Sequence, residues 1–116
     1  MSEFTFYHNP RCSKSRTTLA LLEENGIDPD VVLYLENPPA VDAINALLGK
    51  LGISASELVR SGEADYKEAG LDRNSSEADI VAAMAARPKL IERPIVVKGD
   101  RAVLGRPPEN VLALIA

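Results

Sequence analysis

The sequence holds one cysteine and one histidine, and both fall within His8-Asn9-Pro10-Arg11-Cys12-Ser13-Lys14. A strand-like run, Phe4-Thr5-Phe6-Tyr7, precedes them, and a helix-like run opens at Ser13. A thiol at a strand-to-helix turn lies where backbone N–H groups and the positive end of the helix dipole favour the thiolate. Arg11, Lys14 and Arg16 add positive charge on the same turn. Together these residues point to a nucleophilic thiolate in an anion-binding pocket. His8 beside Cys12 would raise the thiolate fraction, as an imidazolium or as a proton acceptor. The plainer alternative is a structural histidine closing a strand next to a half-buried cysteine. Ser15 completes a Cys-x-x-Ser arrangement, in which its hydroxyl either hydrogen-bonds to the thiolate or caps the helix.

Arginines form the second set of candidates. Arg60, Arg93 and Arg106 are distant in sequence, but Arg93 and Arg106 both stand at element boundaries in Arg-Pro dipeptides. A guanidinium binds a tetrahedral oxyanion through two parallel hydrogen bonds, which a lysine does not reproduce. Solvated surface arginines are the alternative. The pattern favours that alternative for Arg60 and leaves Arg93 and Arg106 open. Pro94 suits an edge or the first residue of a strand; trans is the default for its peptide bond, and cis is the alternative that one sequence leaves open.

Several chemistries are excluded. A phosphatase-type loop would need arginine six positions after the cysteine, where Thr18 stands. There is no phosphate-binding glycine loop, no dinucleotide fingerprint and no His/Cys cluster for a metal. The net charge of -4 and five aromatic residues, none of them Trp, argue against nucleic-acid binding. With a single cysteine no intramolecular disulfide forms, so any resolving thiol must come from another molecule. Met1-Ser2-Glu3-Phe4 is unlike a signal peptide, and no apolar run approaches the roughly 20 residues of a membrane span. A reduced cytoplasmic setting is expected.

The elements that must position these residues follow from periodicity. Phe4–His8 reads as a strand. Thr17–Asn25 reads as helix, with Thr18, Leu19 and Leu22 on one face and Gly26 as the cap. Val31–Leu35 is apolar throughout, as in a buried parallel strand, which makes a βαβ unit. Asn37-Pro38 is expected to start a helix carrying Val41, Ile44, Leu47, Leu48 and Leu51 to a stop at Gly52. Ser54-Ala55-Ser56-Glu57 has the form of a capping box for a short helix to Arg60. A helical turn is expected near Tyr66, and a helix over Ser76–Arg87 with Ile80, Val81 and Met84 inward. Arg93–Val97 and Ala102–Leu104 form a hairpin around Lys98-Gly99-Asp100, and Pro107-Pro108 opens a last helix. At 116 residues the chain is expected to be one domain, a four-stranded mixed α/β sheet flanked by helices. A helical insertion over about 38–91 separates its second and third strands.

The run Tyr7-His8-Asn9-Pro10-Arg11-Cys12-Ser13-Lys14-Ser15-Arg16-Thr17-Thr18-Leu19 resembles the N-terminal signature of the ArsC family of glutaredoxin-linked arsenate reductases. Leu33-Tyr34-Leu35-Glu36-Asn37-Pro38-Pro39, Glu92-Arg93-Pro94-Ile95-Val96-Val97 and Arg106-Pro107 resemble later segments of the same family. Ser13-Lys14 in place of a Gly-Thr pair, and a short chain, are similar to a branch of short bacterial homologues. The resemblance implies a thioredoxin-like fold and an oxidoreductase in which Cys12 forms a thiol–arsenate adduct. Glutathione, as co-substrate, and glutaredoxin then resolve that adduct, with no bound cofactor. It also implies His8 and Ser15 as thiolate-stabilising residues and Arg60, Arg93 and Arg106 as oxyanion ligands. Two other readings share this fold: a glutathione-linked thiol oxidoreductase acting on another substrate, and an Spx-type regulator binding RNA polymerase. The latter proteins commonly carry Cys-x-x-Cys, where this chain has Ser15 as the second member.

Overall fold

A computed structural model describes residues 3–115, and the chain organises into two compact units. One comprises the residues up to Asn37 together with those from Arg93 onward; the other is Pro38–Glu92.

The first unit contains the whole sheet. Strand β1 (Phe4–Tyr7) lies beside β2 (Asp30–Val32) in parallel and beside β3 (Ile95–Lys98) antiparallel. Strand β4 (Arg101–Leu104) closes the hairpin, giving the order β2-β1-β3-β4. Helix α1 (Ser13–Glu24) connects β1 to β2, and Gly26 just beyond it takes φ +76°, a conformation that favours glycine. After β4 a 3₁₀ turn, Pro108–Val111, runs into α6 (Leu112–Ile115), so the last helix is shorter than Pro107-Pro108 implied. The alternation of β1 buries Phe4 and Phe6, which join Leu22, Val96, Val111 and Leu114 in one core. Lys98 and Arg101 donate to the carbonyls of Leu114 and Ala113, satisfying acceptors near the chain's last turn.

One expectation for this unit fails. The apolar run Val31–Leu35 does not continue as a buried strand: β2 stops at Val32 and lies at the sheet edge. Val31 is 46% exposed and Leu35 37% exposed. The amides of Glu36 and Asn37 both donate to the Leu33 carbonyl, folding the chain into a turn where the run suggested extension. An unbroken apolar run is not, by itself, evidence of two covered faces.

The second unit is built of four helices, α2 (Val41–Leu51), α3 (Ala55–Leu58), α4 (Ala64–Glu68) and α5 (Glu77–Ala86), with a 3₁₀ turn over Pro88–Leu90. Helix α5 packs against α2 and α3 and buries Ile80, Val81 and Met84 as the periodicity implied. The start of α2 is a correction. It begins at Val41 with Ala40 as the cap residue, because Pro39 disfavours a helical conformation at Pro38. The capping box is a second correction. Ser54 Oγ bonds to Glu57 and Ser56, while the amides of Ala55 and Ser56 donate to the carboxylate of Glu77 on α5. Helix α3 also ends at Leu58, after which Val59 pairs with Ile91 in a short antiparallel bridge. Among the described residues no helix is long and apolar enough to cross a membrane.

Candidate active site

Sheet register assembles the site at one end of the first unit. Tyr7, the last residue of β1, is opposite Val32, the last of β2, and Ile95, the first of β3. Ile95 in turn faces Leu104, the last residue of β4. The turn leaving β1 therefore emerges beside the segment that enters β3 and the one that leaves β4. These carry, in order, Cys12, Arg93 and Arg106.

Cys12 is the cap residue of α1 and is partly exposed. Its amide donates to the Asn9 carbonyl, and its own carbonyl accepts the first helical hydrogen bond, from Arg16. No acidic residue occupies the first turn of α1, so its positive end is not neutralised locally. Burial alone would raise the thiol pKa. It is opposed by the Ser15 amide, the charge of Arg93, the Lys14 amide and a hydrogen bond from the Arg93 side chain. The balance lies below the ordinary thiol value. Two backbone donors and one guanidinium thus favour the thiolate.

His8 and Ser15 are adjacent but serve each other. His8 is buried, packs edge-on against Phe6 at 5.2 Å, and places Nδ1 2.6 Å from Ser15 Oγ. Ser15 Oγ also accepts the Asn9 amide at 3.1 Å. Burial, and then the charge of Arg16, lower the His8 pKa, so a neutral ring is favoured near pH 7. The expected hydroxyl–thiolate bond is therefore replaced. The hydroxyl of Ser15 braces the turn, and it is the Ser15 backbone N–H that acts on Cys12. Of the local cations, Arg16 donates to the Pro10 carbonyl and Arg11 remains exposed.

Two residues that sequence reasoning passed over hold the arginine segments in place. Thr18 Oγ1 donates to the Lys14 carbonyl at 2.8 Å and lies 3.4 Å from the Gly105 carbonyl. The Gly105 amide donates to the Pro94 carbonyl, tying the segment after β4 to the one before β3. A Cβ on Gly105 would sit 2.8 Å from Pro94 Cγ and 2.9 Å from both Thr18 Cγ2 and Oγ1. Only glycine allows that approach. The Arg93-Pro94 bond is cis, and so is Arg106-Pro107. The one sequence signal for Thr18 was a polar residue on an otherwise apolar helix face.

Arg60 belongs to the helical unit. Its amide donates to the Leu90 carbonyl, and its guanidinium meets Glu63 at 2.6 Å and Glu92 at 3.8 Å. The cation anticipated as an oxyanion ligand thus carries carboxylate partners of its own.

Residues 7–114 match the ArsC family. The chain belongs to the ArsC family. Among its relatives in that family it is 55% identical over 111 residues to the uncharacterized protein YfgD of Escherichia coli (strain K12), covering 94% of this chain and 93% of that protein. It is 45% identical over 117 residues to an arsenate reductase of Neisseria meningitidis serogroup B, covering 99% of this chain and all of that protein. A solved structure of an arsenate reductase from Vibrio cholerae superposes with a TM-score of 0.91 at 51% identity, over 95% of both chains. The four-stranded mixed sheet with flanking helices is the thioredoxin-like ArsC fold. Cys12, Arg93 and Arg106 all lie within the matched span.

Proposed function

We propose that the protein is an arsenate reductase in which Cys12 is the nucleophile. The supporting observation is the thiol at the α1 N-terminus, held toward the thiolate by the Ser15 and Lys14 amides and by Arg93. A thiol so activated needs an electrophile that an arginine can also bind. A tetrahedral oxyanion meets both demands. The Cys12 sulfur attacks arsenic(V) to form an S–As bond, and a protonated oxygen leaves as water. Arg93 and Arg106 bind the remaining oxygens. Glutathione supplies the second sulfur. As two thiols become one disulfide, two electrons pass to arsenic, which leaves as arsenite. Glutaredoxin reduces the resulting disulfide, and the enzyme needs no resident cofactor. His8 and Ser15 act by fixing the turn that presents Cys12.

The decisive assay is arsenate reduction with glutathione and glutaredoxin supplied together. Turnover is expected, and Cys12→Ser should lower it by more than about a thousandfold, because a hydroxyl at this position is not ionised at neutral pH. Folded protein that yields no arsenite with any thiol donor would rule the assignment out.

A further inference from the structure

Arg106 stands between the end of β4 and the 3₁₀ turn Pro108–Val111, in a stretch, 105–107, that belongs to neither strand nor helix. Arg106 is exposed, so the placing of its guanidinium begins with the backbone that carries it. That backbone is tied from several sides. The Gly105 amide donates to the Pro94 carbonyl, and Thr18 Oγ1 approaches the Gly105 carbonyl. The carbonyls on either side, those of Leu104 and Arg106, both accept from Asn110 Nδ2, each at 3.1 Å. A side-chain amide has two N–H groups, one for each of these carbonyls. The Asn110 backbone amide donates to the Pro107 carbonyl, so the residue that reaches back is itself held by the 3₁₀ turn. Asn110 closes a bracket that begins at Leu104, and Arg106 lies inside it.

We propose that Asn110 is a positioning residue for Arg106, setting the grip on the oxyanion without touching it. The inference rests on the reading of Arg106 as an oxyanion ligand and goes beyond it by naming what holds that ligand. A guanidinium on a loose segment must be ordered as the anion binds, and that ordering opposes binding. With Asn110 in place, the Leu104 and Arg106 carbonyls are both satisfied in a single arrangement of the segment. Without it the two carbonyls turn to water, and the segment gains conformations that carry the guanidinium elsewhere. These bonds stay within residues 104–110 and do not touch Arg93, Lys14 or Ser15, the residues whose donors and charge lower the Cys12 pKa. The effect of Asn110 therefore falls on oxyanion capture and not on thiolate formation.

The test is Asn110→Leu, which keeps a side chain of similar shape and removes both donors. Arsenate binding is read in the full-length protein in two ways: as KM in the coupled assay, and as protection of Cys12 from iodoacetamide by arsenate. Both constants should weaken about threefold to tenfold, the scale of one or two neutral hydrogen bonds, with the loss falling on KM rather than kcat. The pH profile of Cys12 alkylation without arsenate should match that of the parent. In an Arg106→Ala background the same substitution should add almost nothing, because the residue through which it acts is gone. Arsenate binding equal to the parent's, or a full further loss in the Arg106→Ala background, overturns the role of Asn110 and leaves arsenate reduction standing. A shifted alkylation profile overturns it too, by making Asn110 a general support of the site. Folded parent protein whose Cys12 arsenate neither protects nor engages in turnover overturns Arg106 as an oxyanion ligand, and this inference with it.

Discussion

In the thioredoxin-like unit, Arg93 and Arg106 flank a pair of segments locked to α1 by Gly105 and Thr18, whereas in the helical unit Arg60 is already met by Glu63 and Glu92. The same side chain does different work in the two settings. Arg93 has a thiol as an interaction partner and lowers its pKa through charge and a hydrogen bond. Arg60 with its two carboxylates forms a cluster of net negative charge, so an oxyanion must displace Glu63 before it gains anything from that guanidinium. An arginine's availability depends on what it is paired with more than on where it stands in the sequence.

Substituting the two arginines gives the largest test of this contrast. Arg93→Ala removes a charged hydrogen bond from Cys12 as well as the proposed oxyanion ligand. A bond of that kind contributes about 1.5–3 kcal/mol, so kcat/KM for arsenate should fall about tenfold to a hundredfold. The apparent thiolate pKa, read from the pH dependence of alkylation, should rise in the same variant. Arg60→Ala should change kcat/KM less and leave the alkylation profile in place. If Arg60→Ala proves the more damaging of the two, the carboxylates are not restraining it and the comparison breaks.

Gly105→Ala tests whether the first unit depends on its close backbone approach. The added methyl meets Pro94 and Thr18 at under 3 Å, and overpacking of this kind typically costs about 1–3 kcal/mol. Denaturant unfolding should report that loss. Because the strain falls on Pro94, next to Arg93, alkylation of Cys12 should also shift to higher pH. Pairing Gly105→Ala with Thr18→Ala removes two of the three contacts and should recover part of both effects. A stability loss with an unchanged alkylation profile would mean that Gly105 supports the fold without positioning the arginine.

What the sequence revealed divides along the same line. The β1–α1 turn, the hairpin and α5 were legible because each is coded by contiguous signals: alternation in Phe4–Tyr7, the Lys98-Gly99-Asp100 turn and the Ile80/Val81/Met84 face. Cys12 stood out because one cysteine in a strand-to-helix turn is itself a local signal. Partners supplied from elsewhere in the chain were not legible. Ser54 looked like a complete capping box, yet the carboxylate that receives the α3 amides is Glu77, on another helix. Ser15 looked like a thiolate ligand, yet its hydroxyl belongs to His8. The importance of Gly105 depends on Thr18, 87 residues earlier, and no single window contains both. Hydrogen bonds between distant segments leave no periodicity to read.

His8 offers the smallest effect and the sharpest sign. If it stabilised the thiolate as an imidazolium, its pKa would be raised by folding, and protonation would add stability as pH fell. The structure gives the opposite direction, since burial and Arg16 lower the His8 pKa below its ordinary value. The unfolded chain then takes up this proton first, near pH 6.5. The contribution of His8 is present above that pH, declines below it, and is fully lost once the pH has fallen through the folded-state pKa. Urea unfolding from pH 8 to pH 5, comparing the parent protein with His8→Gln, isolates the term because the carboxylates are common to both. The stability advantage of the parent should shrink on acidification. An advantage that grew instead would make His8 a cationic partner of Cys12 and would move the source of thiolate stabilisation from Arg93 and the backbone donors to the imidazole.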